Sequence, residues 1–184
     1  MRSLLSGISL AAFLALPQQS VTIPHVRSGH AELHQKGRLT VLELTSPKAQ
    51  IQRIPLTHPS DYPEGMAAPY EARLIAELPN HFLIFTDTFE SNPGNIQGFC
   101  GASEPGERFV HVVALGALPH ETLSVLFESC LVDLGPTEGT LEWHAKRDSA
   151  GSVGELTIRS EPNSIIYYIS SDGFVSRPQS KPTL

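Results

Sequence analysis

The residues best suited to chemistry in this chain are its eight histidines, two cysteines and nineteen acidic side chains. His30 and His34 fall four apart in GHAELH, which on a helix would set both imidazoles on one face. The zinc-protease pattern needs glutamate directly after the first histidine, as base for a metal-bound water. Ala31 stands in that place and Glu32 follows, so the motif fails. His120-Glu121 lacks a second histidine at the required spacing. His25, His30 and His34 form a loose set that reads as solvated surface histidines, so neither a metal nor any other cofactor is expected. His111 lies in an apolar run and reads as a core or edge residue.

No nucleophile is assigned. A nucleophile elbow requires G-x-S-x-G on a tight strand-to-helix turn. The nearest approach, Gly101 to Gly106 around Ser103, is one residue too long and has no helix after it. No S-x-x-K, P-loop or dinucleotide fingerprint occurs. Asp87 and Glu90 flank the start of a long irregular segment, where sites often sit. A hydrolytic His/carboxylate site would need several of His81, Asp87, His111 and His144 to converge. Spacing alone does not show that they do, so no catalytic residue is expected.

The compartment is more legible. Arg2 precedes an apolar run from Leu4 to Leu16, the pattern of a secretory signal peptide, with cleavage expected between about residues 15 and 21. The run is shorter than the roughly 20 apolar residues that span a bilayer, so no stable membrane insertion is expected after cleavage. Residues 1–20 are read as leader, 21–176 as one β-rich domain and 177–184 as a disordered tail. The protein is therefore expected in the periplasm or secreted. An oxidising compartment favours a Cys100–Cys130 disulfide over a reactive thiol served by His111. A formal charge of −6 argues against a general nucleic-acid binder, which needs a basic face.

The elements follow from periodicity. Residues 39–44 and 49–54 read as an N-terminal hairpin, and 55–69, with four prolines, as irregular. Tyr70, Leu74 and Leu78 recur every four residues behind Pro69, which predicts a helix over 69–78. The run HFLIFT at 81–86 suits a strand covered on both faces. From residue 108 onward, alternating stretches separated by turn-rich links predict five or six strands. Asp172-Gly173 favours a two-residue hairpin turn. The expected fold is α+β but mainly antiparallel β: a C-terminal β-meander of five or six strands covered by one short helix and the N-terminal hairpin.

The segment 87–107 is longer than most unstructured connections and carries Phe89, Ile96 and Phe99. Phe89, Glu90, Asn95, Ile96, Phe99 and Glu104 are the candidate binding residues. The function these features suggest is that of an exported, non-enzymatic binding protein. Its partner would be a basic protein, such as a cell-wall hydrolase or a secreted toxin, occluded in the manner of an inhibitor or immunity protein. The alternatives are a periplasmic hydrolase with a His/carboxylate site and a structural envelope subunit.

Overall fold

The computed structural model describes residues 20–36, 39–58, 68–90, 106–129, 141–146, 151–160 and 163–177. They form three four-stranded antiparallel sheets, and in each the strands pair in the order in which they occur along the chain. The first sheet comprises β1 (Ser20–Ile23), β2 (His30–Lys36), β3 (Leu39–Thr45) and β4 (Ile51–Leu56). The second comprises β5 (Glu71–Leu78), β6 (Phe82–Phe89), β7 (Glu107–Ala114) and β8 (His120–Glu128). The third comprises β9 (Leu141–Ala145), β10 (Ser152–Ser160), β11 (Asn163–Ser170) and β12 (Val175–Ser176).

The second sheet lies between the other two, because side chains alternate between the faces of a strand. Leu83 and Phe85 of β6 and Val113 of β7 pack with Leu33, Leu42 and Ile54 of the first sheet. Their neighbours Phe82, Ile84, Val110 and Val112 pack with Leu156, Ile158, Tyr167 and Ile169 of the third. Every position of β6 is buried, which is why HFLIFT reads as a continuous apolar run. Pro55 sits in β4, an edge strand of its sheet, where a missing backbone donor is tolerated.

The expected α+β class is therefore corrected to all-β: no helix occurs among the described residues. The segment read as a helix at 69–78 is β5, paired along β6. Ile75 is an extra residue there, between the pairs Leu74–Phe85 and Ala76–Ile84. The bulge divides the apolar residues between faces, Leu74 toward the first sheet and Ile75, Ala76 and Leu78 toward the third, so Leu74 and Leu78 stand four apart in sequence without sharing a face. Good helix formers fill the segment, but ladder pairing overrides local propensity. The expected C-terminal meander is also corrected. It divides, with β7 and β8 completing the central sheet and β9 to β12 forming the third. The hairpin at 39–54 is β3–β4, two strands of a larger sheet. The turn before β12 spans residues 171–174, with only Gly173 left-handed (φ 84°), so it is longer than the two-residue turn expected.

Candidate functional site

Three strands of the central sheet and the exit of β4 bring four polar side chains together. Asp87 of β6 lies opposite Phe109 of β7, and His111 lies opposite Phe85. All four belong to the face that packs on the first sheet. On β8, strict alternation from Ser124, which pairs with His111, would direct Glu121 to the other face. A bulge prevents this: Val112 pairs with Leu123 but Val113 with Glu121, leaving Thr122 as the extra residue. Bulges re-aim side chains in this way, and here Glu121 joins His111. The Thr122 hydroxyl points elsewhere, 2.8 Å from the Gly173 carbonyl and 3.2 Å from that of Val112.

The fourth residue arrives from outside the sheet. Just beyond the end of β4, the Thr57 amide donates to Glu121 at 2.7 Å, and its carbonyl accepts from the Ser124 hydroxyl. Held from both sides, the chain places the His58 ring edge-on to Phe89 and Phe109, with centroids 5.0 and 4.7 Å away.

The contacts run in a line. Glu121 Oε1 lies 2.6 Å from His111 Nδ1, and His111 Nε2 lies 3.0 Å from Asp87 Oδ1. Asp87 Oδ2 lies 3.3 Å from His58 Nε2. The side chains of Asp87 and His111 are fully buried, and those of Glu121 and His58 are 7% and 11% exposed. Phe85 stacks on His111 at 5.1 Å between centroids.

Charge keeps this group together. Burial alone would push His111 down, but the Asp87 charge and hydrogen bonds to Asp87 and Glu121 raise it from 6.5 to about 9. It is therefore an imidazolium donating an N–H to each carboxylate. Burial would likewise raise Asp87, yet the His111 charge and hydrogen bonds from His111 and His58 hold its pKa below the usual 3.8. With both ring nitrogens engaged, His111 has no free nitrogen to act as a base on a substrate. The cluster has another capacity: one ligand atom each from His58, Asp87 and His111 lie within 4.8 Å of one another.

No family model, curated protein or solved structure matches the chain.

Of the four residues named for a hydrolytic site, Asp87 and His111 meet and the other two do not. His81 is exposed in the turn at the opposite end of β6, and His144 is exposed on β9, 3.2 Å from Glu142. The GHAELH motif is a strand, so His30, Glu32 and His34 share one face, with the histidines 3.0 and 3.3 Å from opposite oxygens of Glu32. His25 occupies a left-handed turn position (φ 68°) between β1 and β2. Among the candidate binding residues, Phe89 is corrected from loop to strand. It ends β6, fully buried beside His58 and Phe109, because β6 runs further than expected. Glu90 is the first residue beyond β6 and is exposed. Asn95, Ile96, Phe99, Glu104, Cys100 and Cys130 lie outside the described residues.

Sequence reasoning missed His58 and Glu121. His58 stands between Pro55 and Pro59 in a stretch that carries no periodic signal. Glu121 read only as part of a failed motif. Its role depends on the bulge at Thr122, which no residue type there announces.

Proposed function

We propose that the protein is an exported, non-enzymatic binding protein that occludes a basic protein partner. The observation that carries this reading is the pairing of Phe89 with Glu107. It fixes both ends of the 90–106 segment side by side on the rim of the central sheet. A segment tethered at both ends loses less entropy on binding than a free one. Its base is rigid, since Phe89, Phe109 and His58 pack edge to face there. An acidic chain, formally −6, favours encounter with a cationic surface. Contact residues are then Glu90, Asn95, Ile96, Phe99 and Glu104, with Phe89 assigned to the base.

A leader that ends before β1 and the Cys100–Cys130 disulfide are part of the same proposal, because they set the compartment in which the partner is met. The test captures partners from periplasmic extract and culture medium with mature protein and with an Ile96→Asp/Phe99→Asp double variant. One basic protein held by the parent and lost by the variant, at unchanged thermal stability, is the expected result. Nothing above background, or equal capture by both, overturns the proposal.

A further inference from the structure

A second capacity, independent of the proposed partner binding, resides in the buried cluster. We infer that His58 Nε2, the Asp87 carboxylate and His111 Nε2, which gives up its proton to solvent as the ion enters, form a site for one divalent transition-metal ion of the zinc type, with Glu121 holding the remaining Nδ1–H of His111.

Four features carry this. The donor set is two imidazoles and a carboxylate, which suits zinc and its first-row neighbours rather than calcium or magnesium. Ligands at about 2.0–2.1 Å from a tetrahedral ion are roughly 3.3 Å apart. Here one ligand atom each from His58, Asp87 and His111 lie within 4.8 Å of one another, and each histidine nitrogen touches one oxygen of Asp87, so modest side-chain shifts bring the three onto one ion. The third feature is behind the ligand. A histidine bound through Nε2 donates its Nδ1–H to a carboxylate or carbonyl in most metal sites, and Glu121 Oε1 is 2.6 Å from His111 Nδ1. The bulge at Thr122 aims Glu121 there. The fourth is the surround: Phe85, Phe89 and Phe109 make a dry shell, which strengthens binding of a cation by a buried carboxylate.

Three protein ligands fill three of the four positions of a tetrahedral ion. The outer-face trio His30, Glu32 and His34 has the same residue types but lies along one solvent-facing strand, and among the described residues only the buried trio brings a ligand atom from each member within 4.8 Å of the others.

The test titrates chelator-stripped, full-length mature protein with zinc chloride by calorimetry and counts bound zinc by mass spectrometry. One ion per chain is expected, and zinc should raise the urea midpoint of the parent. His58→Ala should abolish binding, with His58→Gln as the alternative should the first not fold. Glu121→Gln should weaken binding by about 10–100-fold and alter the visible spectrum of the cobalt(II) form, a change that a merely structural role would not produce. A His30→Ala/His34→Ala double variant should bind as the parent does. No bound zinc in the parent, or binding that survives His58→Ala and His58→Gln but is lost in the double variant, overturns the inference.

Discussion

Two groups of histidines and carboxylates sit at different depths. On the outer face of the first sheet, His30, Glu32 and His34 line up along one strand. Between the first and second sheets, His58, Asp87, His111 and Glu121 come from four separate parts of the chain. The residue types are alike. The difference lies in assembly and solvent. Neighbours on one strand bring their own geometry and remain partly in water, where an ion pair contributes about 0–1 kcal/mol. Residues gathered from β6, β7, β8 and the exit of β4 are locked by packing, and each buried charge depends on its counter-charge. Placing these groups out of water gives the inner cluster its capacity and makes it costly to break.

The largest expected effect follows from that dependence. His111→Gln leaves Asp87 and Glu121 without their shared cation and should destabilise the fold by about 3–5 kcal/mol, read from urea midpoints. A shift below about 1 kcal/mol would mean that the two clusters are energetically alike.

The pH dependence sharpens the same contrast. In chelator-treated protein, the raised His111 pKa gives a contribution that is complete below pH 6.5 and lost as pH rises through about 9. Asp87, held low, contributes above pH 3.8 and loses its contribution as pH falls through its lower folded value. The stability gap between parent and His111→Gln should therefore shrink between pH 6.5 and 9 in urea melts at graded pH.

Smaller effects come from the bulge and the outer face. Thr122→Val removes the hydroxyl that reaches the Gly173 and Val112 carbonyls and should cost about 1 kcal/mol. Chemical-shift changes spreading to Glu121 and His111 would show that the bulge positions the cluster. Glu32→Gln on the outer face should move the midpoint by less than about 1 kcal/mol, since its partners are exposed or half-buried.

How far the sequence led can be judged from the same residues. The apolar run 81–86 marked a strand covered on both sides, because alternating positions must all be apolar when both faces are buried. The run at 71–78 misled, since one extra residue at Ile75 divides between two faces the apolar residues whose spacing reads as one helical stripe. The three-layer arrangement was not visible because each meander looks self-contained along the chain, and the face it shares with another sheet is a long-range fact. Asp87 and His111 were each noticed, but their meeting required the register of β6 on β7. His58 and Glu121 required more: a chain exit gripped at Thr57 and a one-residue bulge. Local periodicity carries no record of either.

The most direct measurement of the central claim is anomalous diffraction at the zinc edge from crystals of the zinc-loaded protein. The expected result is one peak within bonding distance of His58 Nε2, His111 Nε2 and an Asp87 oxygen, with Glu121 still bonded to His111 Nδ1. A strongest peak beside Glu32 on the outer face, or no ordered zinc in the buried cluster, would contradict it.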